Sequence, residues 1–330
     1  MAKGMSWSMA TMADLAPRDV FGKALIEIAR ENEKIVAISP DVLVSTRLKD
    51  FAREFPRRFF ETGITEQAAV GIAAGMATCE LIPFVSSFAC FLSMRACEQI
   101  RTDITYPKLN VKIVASHAGL SMGSGGTTHQ ATEDIAILRS MANMVVLVPS
   151  DTIQTVKVLR CAAEYNGPCY IRLVRGVESP VMIYKNVEEC PFEIGKAATI
   201  KEGNDATIIA AGSPMVQNSF VAANELEKEG IHMRVIDMAS LKPIDKEAIV
   251  KAAEETKGII TVEDHNIIGG LGGAVAEILS EEKPILMKRI GLPDIYSAIG
   301  PEQELWAKYG LDSASIVKTV RKFIKKIKNN

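Results

Sequence analysis

Residues 111–130 read VKIVASHAGLSMGSGGTTHQ. The short apolar run at 111–115 is β-branched, which is typical of a strand buried on both faces of a parallel sheet. We call residues 117–130 the glycine loop, because it holds four glycines, four hydroxyl side chains, and both His117 and His129. Open α/β sheets bind ligands at the carboxyl ends of their strands. The stretch therefore predicts a parallel sheet with a ligand site at its edge.

Similar apolar runs recur along the chain, and helical patterns separate most of them. They occupy residues 35–38, 82–85, 144–148 and 170–174. Residues 66–79 place small and apolar side chains on one helical stripe, which predicts a helix. Repeated βα units of this kind predict an α/β domain.

The alternation stops at residues 176–191, where two prolines lie among mixed polar residues, and then resumes. A glycine-rich turn at 269–273 opens one of the later helices. A length of 330 residues also favours two domains over one. We therefore predict two consecutive parallel-sheet α/β domains, preceded by a flexible leader. The predicted boundaries are 1–16 for the leader, 17–178 for the first domain, 179–192 for the linker and 193–330 for the second domain.

The composition narrows the classes of partner. Lys and Arg total 38 and Asp and Glu total 40, so the net charge of −2 argues against nucleic acid or an anionic membrane as the main partner. No apolar run approaches the ~18 residues of a membrane-spanning helix. The N-terminus lacks a signal-peptide layout. The six cysteines form no C-x-x-C pair, so we expect reduced thiols, a cytoplasmic location and no metal site.

Two further loops carry candidate ligand-binding residues. Glu66 opens an otherwise apolar helix, where a carboxylate either caps the helix or hydrogen-bonds a ligand nitrogen. Phe88 and Phe91 lie three residues apart and would share one face of a helix, either as core residues or as a stacking surface for a flat heteroaromatic ligand. The local sequence leaves both alternatives open.

In this order, the three loops resemble the pyrimidine-binding domain of transketolases and 1-deoxyxylulose-5-phosphate synthases. Residues 126–130, GTTHQ, resemble the transketolase GPTHQ run, and residues 261–266, TVEDHN, with the glycine-rich turn resemble the C-terminal domain of that family. The resemblance covers nearly the whole chain. Full-length family members also begin with a diphosphate-binding domain carrying a G-D-G…N motif, which this sequence lacks. The resemblance therefore implies the C-terminal subunit of a split transketolase.

Such a subunit implies thiamine diphosphate as the cofactor, bound between this chain and an N-terminal transketolase subunit that carries the diphosphate-binding domain. The implied Mg²⁺ is held mainly by that partner, and an α2β2 assembly is expected. The implied reaction transfers a two-carbon ketol unit from a ketose phosphate to an aldose or aldose phosphate.

The resemblance also assigns cofactor and substrate residues. Glu66 matches the glutamate that bonds the aminopyrimidine and drives ylide formation. Phe91 matches the aromatic that stacks on the pyrimidine, with Phe88 beside it, and Asp41 matches an aspartate near the thiazolium. His129 matches a histidine that contacts the hydroxyls of the donor, and we expect it to be catalytic together with Glu66.

Residues at the places where transketolases hold a sugar phosphate are Arg18, Ser45, His117 and Arg175. Taken singly, each of these residues could be an ordinary surface charge or a loop residue. Together they predict phosphate binding, because the guanidinium fork of arginine donates two hydrogen bonds to a phosphate. Gly125 stands where transketolases usually carry an aspartate, and Met94 stands where an aromatic is common. The resemblance therefore leaves the sugar preference open.

Three alternatives stay open. The β subunit of a 2-oxoacid dehydrogenase E1 shares the two-domain plan, although His117 and the run at 128–130 favour a transketolase. A deoxyxylulose-phosphate-synthase-like enzyme is usually a single chain. A catalytically silent scaffold subunit is disfavoured by the joint presence of Glu66, Phe91 and His129.

Overall fold

The computed structural model describes Met12 and residues 14–176 and 181–329. Most of the predicted leader, and the first two residues of the predicted linker, lie outside the described residues. No described helix is long and apolar enough to cross a membrane.

The first sheet has seven strands in the order β10-β5-β6-β4-β3-β1-β2. Six of them pair in parallel, and β10 (Ser240–Lys242) joins β5 in the antiparallel sense. The six parallel strands are β1 (Ile35–Ser39), β2 (Phe59–Glu61), β3 (Ile82–Phe88), β4 (Lys112–Ser116), β5 (Val145–Leu147) and β6 (Cys169–Arg172). The four apolar runs and the run before the glycine loop all form strands, as predicted.

Helices cover both faces of this sheet. They are α1 (Pro17–Glu31), α2 (Lys49–Glu54), α3 (Glu66–Thr78), α4 (Cys97–Gln99), α5 (Asp134–Ser140) and α6 (Thr152–Glu164). Phe84 packs in the cluster that holds Val20 of α1, and its neighbour Val85 packs in the cluster that holds Val70 of α3. Successive residues of a strand point to opposite faces, so continuous apolar runs are required here.

Two π-helical turns, Phe91–Arg95 and Ile100–Thr105, flank the single turn of α4. The sequence did not predict this irregular segment. It also means that Phe88 and Phe91 do not share one helix, because Phe88 ends β3 and Phe91 begins the first π-helical turn.

The second sheet has five strands in the order β12-β11-β8-β9-β7, and only β7 is antiparallel to its neighbour. Its strands are β7 (Ala198–Lys201), β8 (Ala206–Ala211), β9 (Met233–Asp237), β11 (Ile259–Asn266) and β12 (Met287–Leu292). The accompanying helices are α7 (Met215–Glu227), α8 (Lys246–Glu255), α9 (Leu271–Glu282), α10 (Glu302–Lys308) and α11 (Ser313–Lys328). The predicted fold class, two consecutive α/β domains with largely parallel sheets, is confirmed.

Two features tie the sheets together. Strand β10 (Ser240–Lys242) follows β9 of the second sheet but pairs with β5 of the first. The stretch between the sheets is also anchored, since Tyr184 donates its hydroxyl hydrogen to Asp237 at 2.7 Å and its backbone N–H to Asp151 at 3.0 Å. The exact boundaries of the predicted linker stay a prediction.

Candidate active site

The candidate site lies at the carboxyl ends of β1, β3 and β4, which are neighbours in the first sheet. Loops that follow these strands, together with the start of α3, enclose a cleft of about 480 Å³. Among the residues that line it are Asp41, Glu66, Phe91, Arg95 and His129. Four of these five are predicted site residues that are distant in the sequence.

Glu66 is the first residue of α3, and only 1% of its surface is exposed although Thr65 and Gln67 on either side are exposed. Its carboxylate accepts a hydrogen bond from Arg95 Nη1 at 2.8 Å. The helix N-terminus favours a negative charge at this position. Glu66 therefore presents a buried acid to an open cleft, which suits it to bind a polar ligand as well as to begin the helix.

The aromatic rings form a continuous wall beside this acid. Phe88 and Phe91 stack with their centroids 5.8 Å apart and their planes at 21°. The edge of the His129 ring meets Phe91 at 5.2 Å, and Phe88 lies 4.1 Å from the His117 ring. The guanidinium of Arg95 lies over Phe91 at 4.3 Å. Because the wall runs from His129 to His117, it connects the cleft to a second polar region.

That region is the anion pocket, formed by Arg18, His117 and Arg175. His117 directly follows β4 with a φ of 60°, and it is buried. Its Nε2 lies 3.2 Å from Arg18 Nη1, and its Nδ1 lies 2.8 Å from Ser116 Oγ. Arginine offers only donors, so Nε2 accepts and the proton resides on Nδ1.

Burial, followed by the positive charges of Arg18, Arg175 and Arg47, lowers the pKa of His117 to about 3. The imidazole is therefore neutral near pH 7. A neutral histidine near three arginines leaves a net positive charge in the pocket, which suits it to bind an anion. Arg47 was not singled out in the sequence, although it lies two residues after the predicted Ser45.

The remaining predicted residues lie near the anion pocket and the cleft. Ser45 accepts from Arg18 through its carbonyl oxygen at 3.4 Å, and Arg175 donates from Nη1 to the carbonyl of Met122 in the glycine loop at 3.4 Å. Asp41 is exposed at the rim, has a φ of 61°, and donates its backbone N–H to Glu61 at 2.5 Å. Thus Arg18 contacts both Ser45 and His117, whereas Asp41 lies at the rim of the cleft.

The two departures from the transketolase pattern are also near the site. Gly125 is exposed, and a Cβ added there would overlap the side chain of Met122. Met94, 46% exposed, belongs to the same π-helical turn as Phe91. An aspartate at position 125 would therefore require Met122 to move.

The TVEDHN motif lies at the end of β11 and is buried. Glu263 accepts from the backbone N–H groups of Leu271 and Gly272 at 2.7 and 2.8 Å, so it caps α9 at the glycine-rich turn. Burial raises the pKa of Glu263 to about 7 despite these bonds. Within the TVEDHN motif, Glu263 therefore has a structural role as the cap of α9.

Comparison with known proteins decides the family. The model of the transketolase pyrimidine-binding domain matches residues 13–177, and that of the transketolase C-terminal domain matches residues 195–316. The chain belongs to the transketolase family. Membership of this family implies dependence on thiamine diphosphate, and the family resemblance predicted from the three loops is confirmed.

Individual transketolase relatives span almost the same length. A putative transketolase C-terminal section from Methanocaldococcus jannaschii is 46% identical over 94% of this chain and 96% of that protein. One of the subunits of an apulose-4-phosphate transketolase from Phocaeicola vulgatus is 44% identical over 94% of this chain and 98% of its own. A solved split-gene transketolase, described as an inactive β4 tetramer, is 47% identical over 94% of this chain and 99% of its own, with a TM-score of 0.85. These similarities confirm the prediction of an enzyme subunit of the split-transketolase type.

Proposed function

We propose that this chain works with a separate N-terminal subunit to transfer a two-carbon ketol unit from a ketose phosphate to an aldose or aldose phosphate. The observation that supports the proposal is the aromatic wall, which has the acid Glu66 beside one end and His117 of the anion pocket at the other. One end suits a nitrogen heterocycle and the other suits a phosphate, so the site fits both a cofactor and a sugar phosphate.

The cofactor end fits the aminopyrimidine of thiamine diphosphate by its chemistry. Glu66 offers a buried carboxyl group that can share a proton with a ring nitrogen, and Phe91 offers an aromatic face to a flat ring. When bound, the cofactor supplies the nucleophilic carbon that adds to the carbonyl of the donor. Glu66 can share a proton with the aminopyrimidine, and the burial of its side chain limits the access of water to it.

The substrate end is supported by the arrangement of charge. Arg18 and Arg175 bring guanidinium groups to the neutral His117, and the guanidinium fork is suited to donate to a phosphate bidentately. His129 lines the cleft and meets the edges of Phe88 and Phe91, where it can bond a donor hydroxyl and move a proton. We assign His129 and Glu66 as the catalytic residues and Asp41 as a rim residue near the thiazolium.

The partner subunit and the metal form a further part of the proposal. We propose that the N-terminal subunit holds the diphosphate and Mg²⁺, in an α2β2 assembly. Within the described residues, no group of three or more His, Cys, Asp or Glu side chains is placed to hold a metal ion. Ile64, which lines the cleft, is 73% exposed, and Val44 and Met94, which lie within two residues of the lining residues Val42 and Arg95 in sequence, are 60 and 46% exposed. Exposed apolar patches of this kind mark interaction surfaces, which supports docking of a partner at the cleft.

Calorimetry with thiamine diphosphate and Mg²⁺ tests the proposal, using this chain alone, the partner alone and the co-expressed pair. We expect tight binding only for the pair, which is then assayed with ketose phosphates as donors. Tight binding to this chain alone would contradict the assignment of the diphosphate site to the partner.

The same preparation separates the alternatives. Turnover of pyruvate or a branched 2-oxoacid would identify an E1-type subunit, and decarboxylative condensation of pyruvate with an aldose phosphate would identify a synthase. Unchanged activity of the pair after Glu66→Gln would show that this chain is a silent subunit.

A further inference from the structure

We propose that Asp264 in the second domain is a positioning residue, which fixes the glycine loop of the first domain so that His117 and His129 face the donor. This inference rests on the proposed function, because it concerns how the same site is held in shape. Asp264 contacts the backbone of the glycine loop and is not among the residues that line the cleft.

The contact between the Asp264 carboxylate and the backbone of Leu120 is almost completely buried. Asp264 is 2% exposed, and its two carboxylate oxygens lie 3.1 and 3.0 Å from the backbone nitrogen of Leu120. Leu120 stands three residues after His117 in the sequence, so the bond acts on the first turn of the glycine loop. A buried carboxylate that accepts a backbone N–H makes a strong charge-assisted hydrogen bond.

The neighbouring glycine shows that the approach of Asp264 shapes the loop. Gly119 has a φ of 57°, and a Cβ added there would overlap the carboxylate of Asp264. The N–H of Gly119 also donates to the carbonyl of Ala131 at 2.8 Å, which closes the base of the loop. Position 119 thus needs glycine both for its dihedral angle and for the space that Asp264 occupies.

The far end of the loop is held by the same strand. Arg172 Nη2 donates to the carbonyls of Ala131 and Asp264 at 3.1 and 2.8 Å, and Arg172 Nε donates to Asp134 at 2.8 Å. The N–H of Asn266 donates to the carbonyl of Thr132 at 2.8 Å. Strand β11 therefore anchors both ends of the glycine loop.

The position of the glycine loop matters because His117 and His129 lie at its two ends. A displacement of about 1 Å in a positioning element can cost on the order of a hundredfold in rate. Glu66 begins α3 and Phe91 begins the π-helical turn after β3, so neither residue belongs to the glycine loop that Asp264 anchors. Asp264 should control the use of the donor and leave cofactor binding intact.

The test compares Asp264→Ala and Asp264→Asn in the co-expressed pair and in the chain alone. For Asp264→Ala we expect kcat/KM for the donor to fall by about ten- to a hundredfold, because a buried charge-assisted bond is lost. The affinity for thiamine diphosphate should be unchanged. The asparagine variant keeps an acceptor for Leu120 and should recover most of the lost kcat/KM.

Asp237→Ala is the matched control. Asp237 is 1% exposed and accepts from Ser150, Gln154 and Tyr184, so it also ties the two domains, but it does so away from the glycine loop. Equal losses of kcat/KM in both alanine variants, in proportion to their thermal destabilisation, would overturn the proposal and leave Asp264 a purely structural residue.

A second readout does not require activity. Hydrogen exchange of the chain alone should accelerate at residues 117–131 in Asp264→Ala, and not at residues 66–78 of α3. Unchanged exchange at 117–131 would overturn the positioning role. If the wild-type pair shows no ketol transfer, the proposed function fails, whereas the exchange result still decides whether Asp264 holds the loop.

Discussion

The guanidinium of Arg95 donates a hydrogen bond to the buried carboxylate of Glu66 across 2.8 Å. The same guanidinium lies 4.3 Å over the ring of Phe91. A flat group that donates to the acid and lies over the aromatic ring makes the contacts we assign to an aminopyrimidine. Arg95 therefore occupies part of the proposed cofactor site and has to swing aside when the ring binds.

Replacing Arg95 by alanine should consequently strengthen cofactor binding. Arg95 is 46% exposed in its side chain, and ion pairs of such exposure contribute about 0.2–1 kcal/mol. We expect the Kd for thiamine diphosphate to fall by up to about fivefold in the assembled pair. Arg101→Ala is the control, because Arg101 is exposed in the neighbouring π-helical turn and lines a different cavity. Weaker binding by Arg95→Ala alone would mean that Arg95 contacts the bound cofactor.

Replacing Glu66 by glutamine should abolish turnover and preserve the fold. Glutamine keeps a hydrogen-bonding side chain at the start of α3 but cannot hold or release the proton, and loss of a general acid or base costs about 10²- to 10⁴-fold in rate. Steady-state kinetics and thermal unfolding of the pair measure the two effects. Glu80→Gln is the matched control, since Glu80 is exposed and pairs only peripherally with Lys34 at 3.3 Å. Comparable losses in both variants would argue against a catalytic Glu66.

Removing Arg18 should affect phosphorylated donors selectively. Loss of a charge-assisted contact costs about 1.5–3 kcal/mol, so Arg18→Ala should raise KM for a ketose phosphate by about ten- to a hundredfold. A donor without the phosphate should lose far less. Arg30→Ala is the control, because Arg30 lies on the same helix and pairs with Glu54 on the surface. An equal loss for donors with and without phosphate would show that Arg18 does not bind that group.

The lowered pKa of His117 predicts that the free energy of unfolding depends on pH. Its folded pKa, about 3, lies below its ordinary value of 6.5, so the unfolded chain binds the proton more readily. The stability contributed by neutral His117 is thus complete above pH 6.5 and falls as the pH drops towards 3. When the pH is lowered from 7.5 to 5.5, protonation of His117 in the unfolded chain should reduce the free energy of unfolding by about 1 kcal/mol.

Urea unfolding at both pH values tests this expectation with His117→Gln, which should lack that part of the loss. His232→Gln is the control, because His232 is exposed. A pH-dependent loss of stability of the same size in His117→Gln and in the wild type would exclude His117 as its source.

Much of the fold follows from the sequence, because most of the parallel strands are buried on both faces and so appear as uninterrupted apolar runs, whereas the half-exposed parallel strand β2 does not. Strands β7 and β10 do not stand out in this way. Residues of β7 are largely half-exposed, and β10 has only three residues, so neither carries a periodic signal. Their pairing depends on which edge the folded sheets leave open.

Some residues of the candidate site were predicted from the sequence and others were not. Glu66, Phe91, His117 and His129 were predicted because they resemble a family pattern at the ends of predicted strands. Arg95 and Asp264 were not predicted as site residues, since their contacts arise from a π-helical turn and from the packing of one domain on the other. Such contacts join residues that are far apart in the sequence or irregularly spaced, and no local pattern encodes them.

Strand β10 also has a consequence for how the chain denatures. By pairing Ser240 with Leu147, it shields the backbone of β5 that would otherwise end the first sheet. One hydrophobic cluster contains Val85 of the first sheet together with Val275 of α9. A fragment that ended at residue 192 would expose both a bare strand edge and half of that cluster. The two halves should therefore melt in a single cooperative transition, and the pyrimidine-binding half should aggregate when it is expressed by itself.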